Sequence, residues 1–121
     1  MARILIVDDE EAIRSLLAVA FGNAGYEVRI AAHAPEAIAT LAIEPVDVLL
    51  SDVVMNAMSG HDLVRWVSAY HPAITCILMT GFDDTNCDSC PFAAGCTRLL
   101  KPFSGGEAVA AVAEAVRKHS G

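Results

Sequence analysis

The sequence predicts an α/β domain in which a five-stranded parallel sheet carries helices on both faces. Three observations predict it. Short apolar runs, including Ile4 to Val7, Val46 to Leu50 and Ile74 to Met79, suit strands covered on both faces rather than strands half open to water. Segments with apolar residues at helical spacing separate the runs, so strand and helix candidates alternate five times. Four of the five runs stop at a polar group able to do chemistry: Asp8 with Asp9, then Asp52, Thr80 and Lys101. In a parallel sheet these ends share one edge, where open α/β sheets bind their ligands.

The elements follow in order. Arg3 to Val7 reads as a buried strand running into Asp8, Asp9, Glu10 and Glu11. Ile13, Leu16, Leu17, Ala20 and Phe21 then mark the inner face of a helix whose first turn holds Glu10 and Glu11, where acids complement the helix dipole. Gly25 suits a left-handed cap, and Tyr26 to Ala31 reads as a weaker strand. Pro35 fits the first turn of a second helix with Ala37, Ile38 and Leu41 inside, and Glu44-Pro45 ends it. Val46 to Asp52 is the central strand, with Asp52 placed where its apolar run stops.

Beyond the loop at Met55 to Met58, Ser59 and Asp62 have the spacing of a capping box. The helix it opens runs to about Tyr70, with Leu63, Val64, Trp66 and Val67 inside. Ile74 to Met79 is the fourth strand, ending at Thr80-Gly81. Residues 82–96 fit a short or irregular helix weakened by Pro91 and Gly95. Arg98 to Leu100 is a short fifth strand ahead of Lys101-Pro102. Ser104 and Glu107 form a second capping box, and Val109, Val112, Ala113 and Val116 mark the face of the last helix.

Composition narrows the function classes. The 121 residues fit one domain spanning 1–121, with 55% hydrophobic and 19% charged residues, a balance that excludes a disordered chain. A net charge of −7 argues against a direct nucleic-acid footprint and for acidic surface offered to a protein partner. No apolar run is long enough to cross a bilayer or to serve as a secretion signal, so the expectation is a cytoplasmic protein without membrane contact.

The ordered pieces ILIVDDE, DVLLSDVVM followed by MSG, the strand-end MTG, and LLKPF resemble the receiver domain of bacterial two-component response regulators over essentially the whole chain. The resemblance implies a flavodoxin-like doubly wound sandwich with strand order 2-1-3-4-5. It implies that Asp52 accepts a phosphoryl group from a histidine kinase or phosphotransfer protein. It also implies a Mg²⁺ site made by Asp9, by Asp8 through the ion and its waters, by Asp52 and by the carbonyl of Val54. By the same resemblance Thr80 supplies a hydroxyl to the phosphoryl oxygen, Lys101 pairs with it, and Lys101-Pro102 is a cis peptide. The chemistry suits the residue types. Clustered carboxylates need a hard cation, Mg²⁺ takes oxygen donors with water and phosphate, and lysine is a compact point charge.

The chain departs from the family pattern in several places. Asn56-Ala57 stands where receivers carry Pro-Gly, and Arg98 stands at the switch-aromatic position. A guanidinium is not buried as cheaply as a ring. Either Arg98 is simply solvated or coupling from Thr80 to the surface runs differently. Val54 and Phe82, at positions that tune loss of the phosphoryl group in the family, are both apolar, so a long-lived phosphorylated state is expected.

Cys87, Cys90 and Cys96 form a C-x-x-C unit with a third thiol five residues beyond. That spacing serves zinc, an iron–sulfur cluster, a reversible disulfide or no special role. No fourth ligand lies close by, and His33, His61, His71 and His119 are scattered. Cys76 falls within a strand and reads as core.

Two functions compete. One is a non-enzymatic signalling module that catalyses only its own phosphorylation and dephosphorylation, acts on a downstream protein target and exists as a monomer or weak homodimer. The other is a redox- or metal-responsive interaction module on the same fold, using Cys87, Cys90 and Cys96. Intact Asp8, Asp9, Asp52, Thr80 and Lys101 favour the first. An electron carrier binding flavin phosphate is set aside because no phosphate-binding Gly/Ser/Thr loop follows the first strand.

Overall fold

Ile4 to Val7 and Val48 to Leu50 are wholly buried, and these two runs form the centre of the sheet. The computed structural model describes residues 2–52, 60–80, 97–100 and 103–120. Within them lie strands β1 (Arg3–Val7), β2 (Glu27–Ala31), β3 (Val48–Asp52), β4 (Thr75–Thr80) and β5 (Thr97–Leu100). The helices are α1 (Glu11–Asn23), α2 (Ala34–Ile43), α3 (Gly60–Tyr70) and α4 (Gly105–Ser120). The strands are parallel in the order β2-β1-β3-β4-β5, as expected.

Alternation of side chains along the strands makes two cores. Leu5, Val7, Leu49 and Leu78 pack with Ala34, Ala37 and Leu41 of α2 and Leu63, Val64 and Val67 of α3. Ile4, Ile6, Val48, Leu50, Ile77 and Met79 pack with Leu17 and Phe21 of α1 and Ala108, Val112 and Ala115 of α4. The sheet is therefore covered on both sides, which is why its strands read as continuous apolar runs.

Local signals explain most boundaries. Gly25 ends the first helical unit with φ +95°, a backbone region that suits glycine. At the start of α2 His33, not one of the usual capping residues, accepts a hydrogen bond at Nδ1 from the amide of Glu36 at 3.2 Å. The capping box at Ser104 and Glu107 is formed in both directions, with Glu107 N to Ser104 Oγ at 3.1 Å and Ser104 N to Glu107 Oε1 at 3.0 Å. Beside it Gly105 lets α4 close on α1, because a Cβ there would lie 2.7 Å from Ala20 Cβ.

Some expectations are corrected. Leu16 is 45% exposed, and Ala113 faces solvent while Ala108 and Ala115 are buried. The central strand begins at Val48 rather than Val46; just before it, the carboxylate of Asp47 accepts from the amide of Arg3 at 2.8 Å. The box at Ser59 and the helix sought at 82–96 fall outside the described residues.

At the amino edge of the sheet, Arg3 pairs in register with Glu27 of β2 and holds it at 2.8 Å. Glu44 joins Arg29 at 3.0 Å and Arg3 at 3.6 Å. This cluster ties the ends of β1, β2 and α2 together on the edge opposite the strand ends that carry Asp8 and Asp52.

Candidate functional site

Val7 pairs with Ser51 across β1 and β3, and one step further these chains present Asp8 and Asp52. Neighbouring strands lie about 4.8 Å apart, so the two acids leave the sheet side by side. Alternation puts both on one face. Asp8 follows Ile4 and Ile6, Asp52 follows Val48 and Leu50, and those four residues face α1 and α4. Asp8 is wholly buried and Asp52 is 7% exposed, which is unusual for carboxylates and marks the position as more than a solubility cap.

Asp8 is fixed from several directions. Its amide donates to the Ala31 carbonyl at 3.2 Å, extending the pairing with β2. Its carbonyl accepts from Arg14 Nη1 at 2.7 Å, and its Oδ1 accepts from the amide of Glu10 at 2.8 Å. Glu10 is the extended residue before α1, so the helix begins on the acids themselves. Ligand oxygens of Asp8, Asp9 and Glu10 lie within 4.8 Å of one another. An all-oxygen set with one buried and two exposed carboxylates fits a hard divalent cation such as Mg²⁺.

Glu10 is the member of this cluster that the sequence reading misses. It passes there as a complement to the helix dipole. The signal was the run of four acids, Asp8 to Glu11, at a strand-to-helix turn.

In β3 the Ser51 hydroxyl donates to the carbonyl of Asp52 at 3.0 Å. Asp52 pairs in register with Met79, so Thr80 lies one residue beyond the level of Asp52, on the strand next to it. The backbone of Thr80 pairs with Leu100, the residue before Lys101. The strand ends bearing Asp8, Asp52 and Thr80 are thus gathered on one edge, beside the end of β5. Val54, Phe82, Lys101, Asn56, Ala57, Cys87, Cys90 and Cys96 lie outside the described residues, and Arg98 lies in β5. Cys76 is half-buried against the α2/α3 core, and desolvation pushes its thiol up to about 12, as a core cysteine requires. Among the described residues no helix is long and apolar enough to cross a membrane.

Comparison with known proteins agrees with this geometry. The profile of the response regulator receiver domain matches residues 4–113. The DNA-binding transcriptional regulator NtrC of Salmonella typhimurium is 36% identical over 112 residues, 92% of this chain and 24% of its own. The chain thus spans about a quarter of the length of that relative. The response regulator receiver protein CpdR of Brucella abortus is 35% identical over 82 residues, 68% of each chain. Among solved structures, the chemotaxis response regulator CheY4 of Vibrio cholerae superposes with a TM-score of 0.87 at 30% identity, covering 95% of this chain and 98% of that one. A buried acid pair at the ends of the two central strands, the 2-1-3-4-5 sheet and these matches converge: the chain belongs to the response regulator receiver domain family.

Proposed function

We propose that this chain, as one receiver domain over residues 1–121, is a phosphoacceptor that takes a phosphoryl group on Asp52 and changes a protein-binding surface in response. The observation that supports this most is the register-matched placement of Asp8 and Asp52 on one face at the ends of β1 and β3. The donor is a histidine kinase or a phosphotransfer protein, the partners of this family, and the output is a protein contact or a further phosphoryl transfer.

In the reaction, an Asp52 carboxylate oxygen attacks phosphorus in line with the bond that breaks. With a phosphohistidine donor, an O–P bond forms, the P–N bond breaks, and the imidazole nitrogen leaves with the electron pair. Most of the catalysis is positioning and charge neutralisation, so the domain acts on itself rather than as an enzyme on substrates. Asp8, Asp9 and Glu10, with Asp52 and the Val54 carbonyl, would hold Mg²⁺. When bound, the ion offsets the repulsion between these acids and the incoming phosphoryl oxygens. Asp8 is preset for this by its own hydrogen bonds to Glu10, Arg14 and Ala31. Lys101 would pair with a phosphoryl oxygen and the Thr80 hydroxyl would donate to another. Movement of Thr80 toward the phosphoryl group would bias the surface beyond β4.

The competing reading, a redox- or metal-responsive module, rests on Cys87, Cys90 and Cys96, which lie outside the described residues. The test is incubation with acetyl phosphate, with and without Mg²⁺, read by phosphate-affinity electrophoresis. A shifted band that needs Mg²⁺, disappears in Asp52→Asn and is removed by hydroxylamine supports the reading. Labelling that survives in Asp52→Asn rejects it.

A further inference from the structure

Asp9 is exposed, unlike its buried neighbour Asp8, so its placement depends on the main chain on either side of it. One side chain reaches back to that main chain, and the first helical bond anchors its far end. Arg14 Nη1 donates to the carbonyl of Asp8 at 2.7 Å, and the backbone amide of Arg14 donates to the carbonyl of Glu10 at 3.1 Å. The Asp8 carbonyl adjoins the amide of Asp9; the Glu10 carbonyl lies one residue beyond it, and its bond is the first i→i−4 bond of α1, so the side-chain bond to Asp8 is what the guanidinium adds. Arg14 is half-buried on the first turn of α1, and helical side chains lean toward the helix N-terminus, which brings its guanidinium back over the strand end. A charged donor on a carbonyl is a stronger tie than a neutral one.

We propose that Arg14 is the positioning residue for Asp9: by holding the Asp8 carbonyl against the first turn of α1, its guanidinium fixes the peptide that leads into Asp9 and sets the carboxylate where a divalent cation can use it. This rests on the Mg²⁺-dependent reading given above. The sign of the effect separates positioning from simple electrostatics. As a bare charge, a guanidinium beside a cation site opposes cation binding, and removing it would tighten binding. As a clamp, it favours binding, and removing it weakens binding. Groups that orient a metal ligand from behind typically matter by about 10–100-fold in affinity.

The experiment measures Mn²⁺ affinity by electron paramagnetic resonance of the free ion, with Mg²⁺ by competition. The proteins are the wild type, Arg14→Met, Arg14→Lys, Asp9→Asn and Arg14→Met/Asp9→Asn, with far-UV circular dichroism to confirm folding. Arg14→Met is expected to weaken binding about tenfold, with Arg14→Lys in between. In the Asp9→Asn background the same change is expected to shift affinity less than about twofold, because the clamp has no carboxylate left to place. If the methionine variant does not fold, Arg14→Lys carries the same cycle. Unchanged or tighter binding in the Arg14 variant, or an equal loss with and without Asp9, would overturn the inference while leaving the phosphoacceptor reading intact. A wild type that binds neither ion would overturn both.

Discussion

The amide of Glu10 donates to Oδ1 of Asp8 at 2.8 Å, so the residue that follows Asp8-Asp9 offsets part of the charge on the most buried carboxylate in the site. The bond makes the turn from β1 to α1 a preformed cradle, while three carboxylates within 4.8 Å still repel one another. The site is held together by its main chain and strained by its charges. On the Mg²⁺-dependent reading proposed above, a bound cation would relieve that repulsion.

This arrangement predicts a split response in Asp8→Asn. Asparagine keeps an oxygen for the Glu10 amide but removes one charge from the cluster, so the metal-free variant should melt at or above the temperature of wild type. Wild type should gain stability with Mg²⁺, about 2.7 kcal/mol at a hundred times the dissociation constant, and the variant should gain little. Thermal melts with and without Mg²⁺ check both halves.

Close approach of α1 and α4 predicts the effect of Gly105→Ala. The added Cβ meets Ala20 Cβ at 2.7 Å, and neither carbon can swing aside. Helix propensity alone would favour alanine by about 0.4–1 kcal/mol. Overpacking should outweigh it and leave a net loss of about 1–3 kcal/mol in urea unfolding. Gly106→Ala, where the nearest atom is Ser104 Oγ at 3.9 Å, should be neutral or slightly stabilising.

At the opposite edge, the hydrogen bond and charge of Arg3 hold the Glu27 carboxyl below its ordinary value of 4.5. A depressed carboxyl contributes stability above its unfolded pKa and loses it as pH falls through the folded one. Arg3→Gln should therefore lower the urea midpoint at neutral pH, with the gap to wild type closing as pH drops below 4.5. A gap that stays constant down to acid unfolding would mean that the pair acts through packing alone.

For Cys76, burial that pushes the thiol to about 12 predicts a protein whose folded form resists alkylation there. In a Cys87→Ser/Cys90→Ser/Cys96→Ser background, iodoacetamide at about pH 8 should label the unfolded chain and leave the folded one almost untouched. Prompt labelling of the folded protein would contradict the burial.

Much of this was legible in the sequence, for identifiable reasons. Ile4 to Val7 and Val48 to Leu50 announce covered strands because both faces are apolar, and Asp8, Asp9 and Asp52 stand out as the first acids after such runs. Leu16 and Ala113 were placed wrongly because adjacent Leu16 and Leu17, and the alanine-rich last helix, leave helical periodicity without contrast. Which of them goes inside is decided by how α1 and α4 pack on the sheet, a tertiary fact. Glu10 was missed for a similar reason: its part in the acid cluster depends on the turn conformation at the start of α1. The Arg3, Glu27, Glu44 and Arg29 cluster joins residues that become neighbours only once β2 lies beside β1.

The most direct test of the central claim is chemical mapping of the acceptor. After incubation with Mg²⁺ and acetyl phosphate, borohydride reduces an acyl phosphate to an alcohol, so a phosphorylated aspartate is recovered as homoserine in the peptide digest. The account predicts homoserine at position 52 and at no other acid, including Asp8 and Asp9. Homoserine at another position, or none after labelling has been demonstrated, would contradict it.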